Sequence, residues 1–317
     1  MILHIINEML PGEKSDALLQ LAEELNYLND ELFHEYEPRS YTSFEDRLEL
    51  WLANVEDPAE RKAMFEMLSH IFFVARGQMN SLCRTAYNDP IMRWVIDNAG
   101  INIAADDASG ELAGEMRRTW FCPMTDSMRI NKFLKVNDIE GHKHRPDWRS
   151  LRDLGDATKI RAFVEKQGMK SLVLLEDFVG TGRQMTDAAT FALETLPDLP
   201  ILIVPLISCP EGAREGAKLQ AAHELLQVRP VLVLVEPTSF IRKEAGSAEP
   251  PGFQILREMS SRYEGRFSSK FDDPFGHGDL GALTVLHTNC PDNALPLIFD
   301  DSEDWRALFP RVRRVDH

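Results

Sequence analysis

Cysteine is scarce in this sequence, and the four present, Cys83, Cys122, Cys209 and Cys290, form no C-x-x-C pair. That spacing argues against a structural zinc site and for reduced, mostly buried thiols. Long hydrophobic runs are missing too. The longest, 201–207, is far too short to cross a bilayer, so no membrane contact is expected. The first dozen residues lack a basic start, carry Glu8 and break at Pro11-Gly12. No signal peptide is expected there, and the protein reads as cytoplasmic. No internal repeat and no low-complexity tract occurs, and no G-x-x-x-x-G-K-[ST] string, so a P-loop nucleotidase lacks its motif.

Positive charge is the next shortage: 35 Lys and Arg face 51 Asp and Glu, a net of −16. So acidic a chain discourages a broad nucleic-acid surface or an anionic-membrane surface. The deficit is uneven. Residues 1–100 hold 8 basic and 18 acidic residues, whereas 117–149 hold 8 and 4. A basic island in an acidic chain suggests a local site for a compact anion, with ordinary scatter of surface charge as the alternative.

What is there is an ordinary globular composition, 44% hydrophobic and 27% charged, in 317 residues, a length that suits two units. Leu18, Leu21, Ala22, Leu25, Leu28 and Leu32 recur at helical spacing. Asp57-Pro58-Ala59-Glu60 is a helix start, a capping Asp with Pro in the first turn, and Asn88-Asp89-Pro90 opens another. Residues 1–103 are therefore predicted to form an all-α domain. Its acidity and apolar stripes suit a partner-docking or oligomer surface. The small, polar tract 104–115 reads as a linker. Beyond it, 116–317 is predicted to be an α/β domain. Strands at 119–122, 172–175, 201–207 and 231–235 alternate with helical segments, and the last three runs are apolar on both faces. That is the pattern of a parallel sheet covered on each side. A further strand, 282–287, leads into a loop rich in Pro and Asn.

The stretch LEDFVGTGRQM, 175–185, carries the chemistry. Glu176 and Asp177 end a predicted strand, where open α/β sheets bind ligands. A turn from Phe178 to Gly182 then enters a helix near Gln184. Helix-start amides suit a phosphate, Gly180 and Gly182 permit close approach, Thr181 offers a hydroxyl and Arg183 a charge. Carboxylates beside that anion site suit vicinal hydroxyls. A phosphate at one end with a diol nearby describes a ribose 5-phosphate.

Four apolar residues, two acids, three more residues and Thr-Gly resemble the signature of the type I phosphoribosyltransferases. Flanking pieces narrow the resemblance: Phe44-Glu45-Asp46-Arg47-Leu48 with Trp51-Leu52, Arg84-Thr85-Ala86-Tyr87, Thr125-Asp126-Ser127, Leu134 with Asn137, and Arg145-Pro146-Asp147. So do Asn289-Cys290-Pro291-Asp292-Asn293-Ala294-Leu295-Pro296-Leu297 and Leu308-Phe309-Pro310-Arg311. Together these are similar to the phosphoribosyltransferase-like proteins of bacterial conflict systems, found near reverse transcriptases and other antiphage genes. The resemblance implies a parallel-sheet α/β phosphoribosyltransferase-like domain preceded by the all-α domain. It further implies phosphoribosyl pyrophosphate or a related nucleotide as ligand, Mg2+ arriving with it, and a partner protein from a defence operon.

On that reading Glu176 and Asp177 hold the ribose hydroxyls, and Gly180, Thr181, Gly182, Arg183 and Gln184 wrap the 5-phosphate. Arg183 and Gln184 are larger than the small residues usual there. Such enzymes bind pyrophosphate with a loop after an earlier strand, which points here to Asp126, Ser127 and Arg129, with Lys132 nearby. A capped helix start is the alternative for that loop. Lys143 lies in a basic stretch, 140–145, suited to closing over a leaving group. His142 and His144, in the same stretch, lack the carboxylates or cysteines that would make a metal site. Asn289 and Asn293, after the last strand, offer donor and acceptor pairs for a base edge or serve as turn residues. Three functions stay open: a phosphoribosyltransferase, a nucleotide-binding regulator or partner-docking module without catalysis, and a Rossmann-type methyltransferase. The last needs an earlier Gly where Phe178-Val179 stands, and an acid ending the next strand, which ends at Ser208-Cys209.

Overall fold

A computed structural model describes residues 2–10, 16–38, 42–139, 156–267 and 273–312. The chain opens with four helices, α1 (Ile2–Met9), α2 (Asp16–Glu31), α3 (Phe44–Leu52) and α4 (Pro58–Met67). Ser43 caps α3 by accepting from the Asp46 amide at 3.0 Å, and Asp57 caps α4 by accepting from Ala59 at 2.8 Å. Next come a short strand β1 (Phe72–Val74), then α5 (Arg76–Ala86), a single π-helical stretch Tyr87–Ile91, and α6 (Met92–Ala99). Pro90 sits inside that stretch, where its missing N–H and its ring prevent regular α-helix.

Alternation of strand and helix follows. The elements are α7 (Ala108–Arg117), β2 (Thr119–Pro123), α8 (Ile130–Val136), α9 (Ala157–Gln167), β3 (Ser171–Val179), α10 (Arg183–Thr195), β4 (Ile201–Ser208) and α11 (Pro210–Ala222). After them come β5 (Leu226–Val228), β6 (Leu232–Val233), α12 (Phe253–Arg262), β7 (Thr284–Leu286) and α13 (Pro296–Phe299). The large sheet is parallel, ordered β2-β3-β4-β5, with β6 also beside β4. In its middle, Leu172 lies between Trp120 and Ile201, and Leu175 between Pro123 and Val204. β3 and β4 are buried almost throughout, as strands covered on both faces must be. The fold is thus mixed α/β, with a parallel sheet that follows a helical N-terminal region in the chain.

Its division into units differs from the one expected. Met1–Gln78 and Val235–His317 form one compact unit, and Met79–Leu234 forms the other. The tract 104–115 is no linker, because most of it lies in α7, where Ala, Leu, Glu and Met outweigh the two glycines. β7, expected in the main sheet, instead pairs with β1 in a two-stranded parallel sheet of the first unit. The predicted strand at 231–235 shrinks to the two-residue β6, and β5 forms before it, at Leu226–Val228.

In the first unit, early and late chain segments share one core. Trp51 donates its indole N–H to the Leu297 carbonyl at 2.6 Å, and Arg47 donates to Leu308 at 2.8 Å and Thr42 at 2.6 Å. The Tyr36 hydroxyl donates to the Pro310 carbonyl at 3.0 Å. Phe309 packs against the rings of Phe33, Tyr36, Phe44 and Phe73. The second unit keeps its own core around β3, β4 and the apolar face of α10.

Candidate functional site

Register places the acids. Because Pro123 lies beside Leu175, and the Met124 amide donates to the Leu175 carbonyl at 2.7 Å, the chain leaving β2 arrives next to Glu176 and Asp177. Thr125 then donates to Glu176 twice, from its amide to Oε2 at 2.9 Å and from its hydroxyl to Oε1 at 2.8 Å. The Ser127 hydroxyl lies 2.5 Å from Glu176 Oε1 and 2.8 Å from Asp177 Oδ1. The Thr125 and Ser127 hydroxyls are themselves 2.9 Å apart. Both acids are buried. The helix-start alternative for this loop falls away, because α8 begins at Ile130 with Arg129 at its cap position and no side-chain cap. Asp126 and Arg129 are exposed.

Burial pushes the Glu176 carboxyl well above its ordinary 4.5, and the neighbouring charge of Asp177 adds to this against the hydroxyls of Ser127 and Thr125. The folded state therefore holds a proton on Glu176 at pH values where the unfolded chain has lost it. By linkage, stability is fully present below about pH 4.5 and falls as pH rises through the folded-state value. We expect Glu176→Gln to flatten that fall, read as the melting temperature of both proteins from pH 4 to 8. Parallel curves would contradict a protonated Glu176.

The turn follows directly. β3 ends at Val179, and Gly182 takes a left-handed φ of 86° before α10 starts at Arg183. A helix leaves its first amides without intrahelical partners. Here Gly182 supplies no capping side chain, and the Thr181 hydroxyl accepts from the Arg183 amide at a long 3.4 Å. The side chains of Arg183 and Gln184 point to solvent. Two close contacts hold the turn against α11. A Cβ on Gly182 would lie 2.9 Å from Glu215 Cβ, and a Cβ on Gly212 would lie 2.8 Å from the Gly180 carbonyl oxygen. Gly212 and Gly216 escaped the sequence reading, although their spacing of four on one helix face was the available signal.

Cys83 of α5 was also missed. Burial pushes its thiol up to about 11, and it is within electrostatic reach of Lys132 and Asp177, which act with opposite sign. Among the expected site residues, Glu176, Asp177, Ser127 and the turn 180–184 are brought together at the carboxyl ends of β2 and β3. Lys143, with the rest of 140–145, lies outside the described residues. Asn289 and Asn293 are expected after a strand of the main sheet, but they follow β7, which pairs with β1 in the first unit. Asn289 bonds the Val312 backbone through both amide atoms, at 2.9 and 3.1 Å, and Asn293 donates to the His277 carbonyl at 2.7 Å. Their amides brace the backbone.

A parallel sheet in which β3 carries two buried acids near its carboxyl end, followed by a Gly-Thr-Gly turn into a helix, defines a phosphoribosyltransferase-like protein. The family model PRTase-CE matches residues 48–311, and the chain belongs to that family. The match starts within α3 and ends beyond Phe309, so it takes in both units. No curated protein and no solved structure matches the chain.

Proposed function

We propose that the protein binds phosphoribosyl pyrophosphate or a related nucleotide at the carboxyl ends of β2 and β3, as an effector of a bacterial antiphage system. The observation that supports this most is the direct succession of acid pair and uncapped turn, since a diol and a 5-phosphate need both within one ribose. The acid pair faces the ribose, the amides of 180–184 take the 5-phosphate, and Ser127, Asp126 and Arg129 lie where pyrophosphate would leave. The donor set here, carboxyls and hydroxyls, is all oxygen and fits Mg2+, carried in on the ligand's own oxygens. When bound, Mg2+ supplies charge neutralisation for the departing pyrophosphate. A regulator without turnover is the second reading. It is favoured by the bulk of Arg183 and Gln184 in the turn, and by protein hydroxyls already bonded to the acids.

Titration with phosphoribosyl pyrophosphate and Mg2+ tests both readings. A ligand bound only by the native state raises stability by about 2.7 kcal/mol at a hundredfold excess over its dissociation constant, which is a clear rise in melting temperature. Gly182→Val should abolish the rise, because it is strained at that φ and meets Glu215. No rise at millimolar ligand in the wild type removes both readings. Pyrophosphate release in the presence of bases, nucleotides or cell extract separates enzyme from regulator.

A further inference from the structure

The two acids do not make the same contacts. Glu176 accepts from the Thr125 amide on one oxygen and meets both loop hydroxyls on the other, so its acceptor sites are turned towards the protein. Ser127 has one hydroxyl hydrogen, yet its oxygen lies within hydrogen-bonding distance of Glu176 Oε1 and of Asp177 Oδ1. Both contacts are bonds only when a carboxyl brings a proton of its own. Two arrangements satisfy them, one with the proton on either acid, and the deeper burial of Glu176 selects the one in which Glu176 donates to Ser127, Ser127 donates to Asp177, and Thr125 donates to Glu176. With both acids ionised, one carboxylate would face the bare lone pairs of Ser127 at under 3 Å.

Resting on the phosphoribosyl reading, we propose that Glu176 is a positioning residue that holds the Thr125–Ser127 loop, and that Asp177 alone carries the charge offered to the ribose diol. The acid pair is thereby split into a neutral brace and a ligand-facing carboxylate. Burial fits this division, since Glu176 is the more enclosed of the two at 2% exposure against 8% for Asp177. Among the described residues, the hydroxyls of Thr125 and Ser127 face the pair, and the buried Cys83 thiol of α5 is within electrostatic reach of Asp177 and Lys132. A brace needs hydrogen-bonding shape and no charge, so an amide of equal size can serve. A side-chain amide at position 176 accepts from the Thr125 N–H and donates to the two hydroxyls, leaving Ser127 free to donate to Asp177.

The test compares rescue at the two positions, using calorimetry of the full chain with phosphoribosyl pyrophosphate and Mg2+ at pH 7. Glu176→Ala weakens binding at least tenfold, and Glu176→Gln recovers most of that loss. Asp177→Ala and Asp177→Asn are equally weak, each down at least tenfold, because charge is what that position supplies. If Glu176→Ala fails to fold, Thr125→Val, which removes one donor of the brace and neither carboxyl, takes its place. A ligand-free arm runs beside this: exchange of the Thr125 amide hydrogen is slow in the wild type and in Glu176→Gln. Equal losses in Glu176→Gln and Asp177→Asn overturn the proposal, as does a fast-exchanging Thr125 amide in the wild type. If the wild type binds no ligand, the phosphoribosyl reading fails, and the exchange arm still decides whether Glu176 braces the loop.

Discussion

Trp51→Ala is expected to destabilise the protein by about 3–5 kcal/mol, the usual range for emptying a large aromatic site in a core. Trp51 is fully buried in the first unit, and its indole N–H donates to the Leu297 carbonyl. Trp305 donates to the same carbonyl at 3.2 Å, so truncation leaves that acceptor its longer bond as well as a cavity. A whole domain is stable by only about 5–15 kcal/mol, so the change removes a large fraction of the total. Denaturant unfolding of the wild type, Trp51→Ala and Trp51→Phe measures it, with Phe intermediate because it keeps much of the volume and loses the donor. Leu50, the exposed neighbour, is the control, and Leu50→Ala should stay within about 0.5 kcal/mol. A cost below about 1 kcal/mol for Trp51→Ala would mean that the N-terminal helices do not pack on residues 295–309 as described.

The second large effect is expected at Gly212, which no sequence motif marked. A Cβ there would sit 2.7 Å from Val179 Cγ1, 2.8 Å from the Gly180 oxygen and 2.9 Å from Ser208 Oγ. Two of those neighbours are backbone or strand side chain at the mouth of the turn, and they cannot swing away as a long side chain would. Gly212→Val should therefore push α11 off the turn. Overpacking of this kind costs about 1–3 kcal/mol, and the displaced Gly180–Gly182 segment should lose its stabilisation by phosphoribosyl pyrophosphate. Gly216→Ala provides the comparison. Its Cβ would press on Val228 Cγ1 at 2.7 Å, one turn further along and away from Gly180, so it should reduce stability and keep the ligand response. Loss of the response in both variants would mean that general loosening, not displacement of the turn, is responsible.

These two sites also show where sequence legibility ends. The Asp57 cap, the apolar runs of β3 and β4, the acids near the end of β3 and the glycines after it depend on neighbours a few residues away, and each was readable. So was the parallel sheet, because a strand covered on both faces must be apolar on both. Pairing across hundreds of residues was not readable. Nothing in Trp51 says that its acceptor is Leu297, and nothing in 282–287 says that its partner is β1 and not the large sheet. Asn289 and Asn293 were misplaced for that reason alone. The tract 104–115 was misread on the other side of the balance, where glycine and aspartate were given more weight than the helix formers among them. At the acid pair, the sequence offers Ser127 only as a candidate ligand residue, and its bonds to both carboxyls depend on the register of β2 against β3, which spacing does not encode.

The first unit is built from two stretches of chain with a whole second unit encoded between them. On the ribosome this imposes an order. Residues 79–234 are contiguous and can close their sheet as soon as they emerge. The helices α1–α4 come out before them, yet Leu297, Leu308 and Phe309, which cover their apolar faces, are made after them. At roughly 5–20 residues per second, that wait is on the order of tens of seconds. During it those helices stand with their apolar faces uncovered, and a cell short of chaperones should lose this protein during synthesis more readily than after it.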